Sequence, residues 1–235
     1  MEVVQLSVWE LVISSIPAFL VLLILLKWEL EAKTALYALS RMLLQLLVVG
    51  FFLAYIFESN SITIVTLVLA IMLGVSSWIA LRTVEEDRLS LYKIALIASA
   101  IGGGISLVLV TQFSLHIQPW YQPQIMVPLA GMIFASTMNS ISIAAERLKS
   151  ELSRDVHAKQ ARNIAFRASL IPVVNSLFAV GLVSLPGMMT GQILSGVDPF
   201  VAARYQILVM FMIFGATGIA SAVYLQLYCR KYFVK

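Results

Sequence analysis

The chain is 235 residues long, 60% apolar and only 12% charged, with a formal net charge of +4. A soluble domain carries roughly 25% charged residues, so the composition excludes a water-soluble globular protein, and its apolarity excludes a disordered one. The basic balance does not point to nucleic acid, because the charges sit between apolar runs, and the single cysteine, Cys229, excludes an intrachain disulfide and a zinc or iron–sulfur framework.

A membrane helix needs ~20 apolar residues, and the runs follow at that spacing. Trp9–Leu26 is the first, with Pro17 inside it. Acidic residues (Glu2, Glu10) precede it and basic ones (Lys27, Lys33) follow, the reverse of a cleavable signal peptide. That order predicts a first helix whose N-terminus lies outside. Leu36–Phe57 is the second run, with Arg41 and Gln45 near its start, and Ile62–Leu81 the third, after the polar tip Glu58-Ser59-Asn60-Ser61. A charged loop, Arg82–Lys93, contains Glu85-Glu86-Asp87-Arg88. Leu91–Thr111 is the fourth run and Ile125–Ala145 the fifth, separated by a loop with Pro119-Trp120-Tyr121.

From Glu146 to Arg167 the composition turns polar. Apolar residues recur there at Leu148, Leu152 and Val156, which is helical spacing. The expected structure is one or two amphipathic helices at the water interface. Leu170–Leu194 is a weaker sixth run, interrupted by Pro186-Gly187, and Tyr205–Tyr228 is the last before a basic tail ending at Lys235. The sequence therefore predicts an all-α polytopic bundle of about seven spans, forming one transmembrane domain over residues 1–235. With the N-terminus outside, the inner segments 27–41, 82–93, 146–167 and 230–235 hold every one of the 16 Lys and Arg residues except Arg204. Such a bias sets topology, and it places the C-terminus in the cytoplasm. A re-entrant 170–194 segment is the alternative.

No Asp or Glu falls at the centre of a span, where an ion-coupled carrier needs an ionisable relay. Arg41 is close enough to the inner surface to snorkel, or lines a vestibule with Gln45. The two histidines, His116 and His157, fall in no metal-ligand spacing, and no GxSxG motif occurs. Gly102-Gly103-Gly104 lacks the Lys and Ser/Thr of a phosphate loop. The chain has no ATPase motif, no expected catalytic residue and no expected cofactor of its own.

Small residues repeat every fourth position at Ala98, Gly102 and Ser106, at Gly187, Gly191 and Ser195, and at Gly218 and Ala222. That spacing predicts close helix packing. The stretch Leu185-Pro186-Gly187-Met188-Met189-Thr190-Gly191-Gln192 least resembles an ordinary span. Proline frees a backbone carbonyl, and irregular backbone at membrane depth lines cavities in transporters. Asn175, Ser176, Pro186, Met188, Met189, Thr190 and Gln192 are accordingly the candidate substrate pathway. Met188 with Gln192, or Met189 with Thr190, forms the cavity-facing pair. Asn139, Asn175 and Gln45 mark the fallback route.

Leu170-Ile171-Pro172, Asn175-Ser176, the run Val180-Gly181-Leu182-Val183-Ser184-Leu185-Pro186-Gly187-Met188-Met189-Thr190-Gly191-Gln192-Ile193-Leu194 and Ala203-Arg204-Tyr205-Gln206-Ile207 form a long, specific signature. It resembles that of the FetB family of ABC-transporter permeases, implicated in iron export and with plant relatives tied to aluminium tolerance. The stretch Ala144-Ala145-Glu146-Arg147-Leu148-Lys149-Ser150-Glu151 is similar to the coupling element of ABC importers, without its glycine. The resemblance implies a homodimer in the inner membrane that works with a separate ATP-binding subunit, the only place where ATP is bound. The candidate coupling residues are Glu146, Arg147, Leu148, Glu151, Leu152 and Val156, with apolar anchors at a docking surface and charges at its rim. Composition and spacing do not specify a metal, and metal-ligating residues are left unassigned.

Overall fold

The computed structural model describes residues 7–59, 61–84 and 87–233. Glu2, Asn60, Glu85, Glu86 and Lys235, which figured in the topology argument, lie outside the described residues. By contact the chain divides into two units, Met1–Glu58 and Ser59–Lys235.

The first unit holds helices α1 (Val8–Ser14), α2 (Ile16–Lys27) and α3 (Ala32–Glu58). Helix α1 starts at a capping box: the Ser7 amide donates to Glu10 Oε2 at 2.6 Å, and the Glu10 amide donates to Ser7 Oγ at 3.3 Å. Pro17 occupies the first turn of α2, where a missing N–H costs nothing. In α3, with the Gln45 amide turned so that its oxygen faces the guanidinium, Gln45 accepts from Arg41 Nε at 3.0 Å.

The second unit contains α4 (Ile62–Ala80), α5 (Arg88–Val108), a π-helical segment (Leu109–Ser114), α6 (Pro123–Leu152), α7 (Ala158–Ala179), α8 (Gly187–Leu194) and α9 (Pro199–Phe233). Helix α9 packs along α5, α6 and α7, and α6 also packs against α4. Helices α5 and α7 run antiparallel to α9, whereas α4, α6 and α9 run the same way. Ser140 of α6 donates to the Ser169 carbonyl of α7 at 3.2 Å and hydrogen-bonds Ser221 of α9, while Arg162 of α7 donates to Gln226 of α9 at 2.9 Å. Lys231, near the end of α9, meets Asp87 and Ser90 at the start of α5. Two apolar cores follow from this stacking. One, around Leu91, Ile141, Leu148 and Tyr224, lies toward the end carrying the cations; the other, around Val65, Leu107, Ile133 and Val209, lies toward the opposite end.

Helices α5 and α9 approach closely because Gly102 removes a side chain between them. A Cβ there would stand 2.6 Å from Ala220 N and 2.7 Å from Ala216 O.

Among the described residues six helical stretches are long and apolar enough to cross a membrane: Val8–Lys27, Ala32–Glu58, Ile62–Ala80, Arg88–Ser114, Pro123–Leu152 and Pro199–Phe233. The expected run 170–194 is not a single helix. Helix α7 stops at Ala179, and Gly181 (φ +85) turns the chain so that its amide donates to the Ser184 carbonyl at 2.9 Å. Only a residue without a Cβ enters that conformation freely. Pro186 then sits in an extended conformation at the N-cap of α8.

The polar stretch 146–167 does not form a separate amphipathic helix either. Its first part is the last turns of α6, its last part is the start of α7, and Asp155 (φ +59) reverses the chain between them. Buried positions at Ala144, Leu148 and Glu151, then Ala161 and Ala165, keep one face of each helix on the core, so the apolar period expected of a surface helix here belongs to the bundle.

At the same end, the Tyr232 hydroxyl and the Lys231 ammonium (3.5 Å) reach the Asp87 carboxylate. The Tyr232 hydrogen bond, ahead of the Lys231 charge, holds the Asp87 carboxyl below its ordinary value of 3.8. A depressed carboxyl contributes stability that is complete above the unfolded value and disappears as pH falls through the folded one. Thermal unfolding of the wild type should therefore show an acid-side decline in this window that Asp87→Asn lacks. The effect should be small, because the group is exposed.

Candidate functional site

The site is built on α6, α7 and α9. A cavity of about 250 Å³ lies between them, lined by Ser136, Asn139, Ser169, Pro172, Ser176 and Thr217 among others. Its level is that of the Ser140–Ser169–Ser221 hydrogen-bonded link, near the middle of α9. Pro172 inside α7 carries no N–H, so the Ala168 carbonyl loses its usual helical donor. Hydroxyls deal with part of the local demand. Ser176 donates to the Pro172 carbonyl at 3.0 Å, and Ser169 to the Phe166 carbonyl at 2.8 Å. Thr217 is different: it is 2% exposed, and its Oγ1 has no hydrogen-bond partner among the described residues. Asn139 and Ser176 are exposed on the open side of the cavity.

A second cavity, of about 390 Å³, lies toward the end opposite the cations. Met188 and Gln192 of α8 face Met132, Pro128, Tyr205 and Leu208 across it. Gln192 Oε1 is buried there without a partner among the described residues. Met188 and Gln192 stand one turn apart, so an eight-residue helix lying on α9 presents both to one wall. Met189 and Thr190 do not line this wall, and the Thr190 hydroxyl donates to the Pro186 carbonyl at 3.1 Å. Among the described residues neither cavity is lined by Asp, Glu, Lys, Arg or His. No three His, Cys, Asp or Glu side chains converge among them. The donors on offer are hydroxyl and amide oxygens with thioethers at one end. Such a set hydrogen-bonds a polar solute, or coordinates a cation through neutral oxygens.

The sequence-derived pathway is thus divided. Ser176 joins the mid-bundle cavity, Met188 and Gln192 join the other, Asn175 is exposed and outside both linings, and Pro186 starts α8. Of the fallback residues, Asn139 falls on the mid-bundle cavity. Ser136, Ser169 and Thr217 escaped sequence reasoning, because a hydroxyl in an apolar helix ordinarily bonds back to its own carbonyls. Their common signal was spacing alone: Ser136, Asn139 and Ser140 share one face of α6.

The packing glycines also separate. Gly102 lies against α9 as described, and a Cβ at Gly218 would make an ordinary 3.9 Å contact with Leu170. Around Gly187 and Gly191 a Cβ would meet nothing within 4 Å, so the helix packing expected of them is not made within this chain. Gly191→Leu should consequently leave the melting temperature of the isolated chain unchanged. A drop in its assembly, read by cross-linking in membranes, would report contact with a second copy.

At the cation end, the residues expected to couple to a partner are mostly turned inward. Leu148 is 1% exposed in the core, with Leu152 and Val156 packed against that core. Glu151, 5% exposed, is paired with Arg147 at 2.6 Å. Leu148 is therefore not available as a docking anchor, because the core of its own bundle already uses it. Glu146 is exposed, as are Arg154 and Asp155 on the turn between α6 and α7.

Comparison with known proteins agrees with this architecture. The family model for the uncharacterised protein family UPF0014 matches residues 8–233. The chain is 41% identical over 232 residues to a UPF0014 membrane protein of Synechocystis, covering 89% of this chain and 87% of that one. It is 31% identical over 217 residues to the Escherichia coli "Probable iron export permease protein FetB", covering 86% and 82%. It is 30% identical over 215 residues to the protein ALUMINUM SENSITIVE 3 of Arabidopsis thaliana, covering 85% and 77%. No solved structure matches. A helical chain with six apolar spans, matched from one end to the other by this family, belongs to the UPF0014 membrane proteins and is a relative of FetB.

Proposed function

We propose that this chain is the membrane-spanning permease subunit of an ABC transporter that exports iron or another metal, with ATP hydrolysed on a separate subunit. The observation that carries the reading is the uncharged polar cavity between α6, α7 and α9 at mid-bundle height, open at Asn139 and Ser176. Polar groups facing hydrocarbon are costly, and in membrane proteins they line a pathway or pack against a partner. A homodimer in the inner membrane, with the open side of this cavity turned toward the second copy, satisfies both conditions at once. Iron as cargo is supported by the relative named for iron export. A metal crossing among hydroxyl and amide oxygens keeps part of its own shell or travels as a complex, since no charged ligand set lines the cavity among the described residues.

Orientation follows from the cations. In the second unit Arg82, Arg88, Lys93 and the basic residues from Arg147 to Arg162, with Arg230 and Lys231, lie at one end, Arg167 lies further along α7 toward the level of Ser169, and Arg204 lies at the other end. The cation end faces the cytoplasm by the positive-inside bias, and the N-terminus lies outside. The ATPase then meets the turn between α6 and α7, through Glu146, Arg154 and Asp155. The test is co-purification of the full chain from detergent. An ATP-binding subunit should copurify stoichiometrically, and Arg154→Glu with Asp155→Lys should release it while membrane insertion is kept. Transport by the purified chain alone, driven by an ion gradient, would overturn the proposal in favour of a stand-alone carrier.

A further inference from the structure

A third cavity, of about 440 Å³, lies at the cation end between the start of α7 and the end of α9. His157, Lys159 and Arg162 face it from α7, Arg230 from α9, and Cys229 and Phe233 complete the wall. Among the described residues no carboxylate lines it. Other cations at that end are partnered: Arg147 is paired with Glu151, Lys231 with Asp87, and Arg88 sits 4.1 Å over the Trp78 ring. Three cations converge on one cavity with no counter-charge among the described residues of its wall. Like charges held in a common space repel one another unless an anion occupies it.

The side chains are also pre-set for a ligand. Arg162 Nη1 donates to Gln226 Oε1 of α9 at 2.9 Å, which holds the guanidinium across the cavity. Little rotamer freedom is then left to lose on binding. Helix α7, 22 residues long, begins here, so its partial positive end adds to the cations. The α9 wall is mixed: beside Arg230 and Gln226 it presents Cys229 and Phe233, the latter 50% exposed. These cations and the exposed aromatic lie where the apolar run of α9 gives way to Arg230 and Lys231. That level is the boundary between hydrocarbon and headgroups.

We propose that this cavity binds the phosphate of an anionic phospholipid headgroup, with the start of an acyl chain against Phe233. Charge complementarity selects a phosphate, and the exposed aromatic selects one attached to a chain over a free phosphate. Basic pockets between helices on the cytoplasmic side are suited to such headgroups. The assignment rests on this end facing the cytoplasm.

The experiment is native mass spectrometry of the full-length chain, titrated with phosphatidylglycerol or phosphatidylcholine. The wild type should retain phosphatidylglycerol preferentially. In Lys159→Gln/Arg230→Gln, whose two positions are exposed, the apparent dissociation constant should rise about tenfold or more. Lys159→Arg/Arg230→Lys should retain the lipid, which separates loss of charge from loss of fold. Equal retention of phosphatidylglycerol by wild type and the Gln variant overturns the proposal, and so does equal retention of phosphatidylcholine. Inorganic phosphate at the same headgroup concentration should not displace the lipid; displacement would assign the cavity to a free phosphate compound. If lipid retention is unchanged and only the ATP-binding subunit is lost from the Gln variant, the cavity is a docking point for acidic protein side chains. A reporter fused at the C-terminus checks orientation separately, and a periplasmic signal there would refute the topology without bearing on the lipid titration.

Discussion

Replacing Gly102 with alanine should lower the melting temperature of the detergent-solubilised chain, and valine should prevent it from eluting as a monodisperse species. The added Cβ would sit under 3.0 Å from the Ala220 nitrogen, the Ala216 carbonyl oxygen and the Ala220 Cβ. Two of those three atoms are backbone and cannot rotate away, so α5 and α9 must separate. Overpacking a tight interior costs about 1–3 kcal/mol and sometimes more, and this pair carries a large share of the contact of α9 with the bundle. Gly104→Ala is the matched control. It lies two residues on in the same helix, with nothing within 4 Å of its would-be Cβ, and should melt as the wild type does. Equal melting of Gly102→Ala and Gly104→Ala would refute the close approach.

On the proposed function, Thr217→Val and Asn139→Leu should each cut metal efflux by a complex reconstituted with the ATP-binding subunit by about tenfold or more, the equivalent of one lost hydrogen bond to cargo at about 1.5 kcal/mol. Stability should move the other way in Thr217→Val. The Thr217 hydroxyl is buried and unpartnered, and an unsatisfied buried hydroxyl costs about 1–3 kcal/mol. Exchanging it for a methyl removes that cost at nearly constant volume. A variant that is at least as stable yet transports poorly separates a pathway residue from a packing residue. Wild-type efflux in both variants would remove the mid-bundle cavity from the route and leave the one walled by Met188 and Gln192.

What the sequence made legible was set by apolar length. The stretches 9–26, 36–57, 91–111, 125–145 and 205–228 each fall within a helix or helical pair of the structure, and 62–81 overruns its helix by one residue, because one span's worth of apolar residues has few alternatives in lipid. The seam at Gly102 was legible for a similar reason, since its neighbours Ala98 and Ser106 are small as well. The stretch 146–194 was not. Its polar residues divide between two helices whose buried faces continue into the core, and a local window cannot distinguish that from a helix lying on the surface. Leu148 shows the problem: its spacing is that of an amphipathic helix, but its partners, Ile141 and Tyr224 among them, come from the bundle. The mid-bundle cavity was hidden further, because it needs Ser136, Ser169 and Thr217 from three helices brought to one level. Asn139 was visible because an amide in an apolar helix is rare whatever surrounds it.

The turn at residues 153–157 also bears on how the protein is made. Helix α7 is not among the six stretches apolar enough to cross a membrane, and it carries Lys159, Arg162 and Arg167 in its first turns and Pro172 and Asn175 later. An insertion machinery that weighs each emerging segment by its own transfer energy would not release α7 into lipid by itself. The preceding α6 changes that balance. It meets α7 along Ala161, Ala165 and Ser169, donates the Ser140 hydroxyl to the Ser169 carbonyl, and is tied to it by a turn too short to let them drift apart. The two helices are therefore expected to enter the bilayer together, as one hairpin. Any lengthening of that turn would loosen the pairing at the moment of biogenesis, before a folded protein exists to be destabilised.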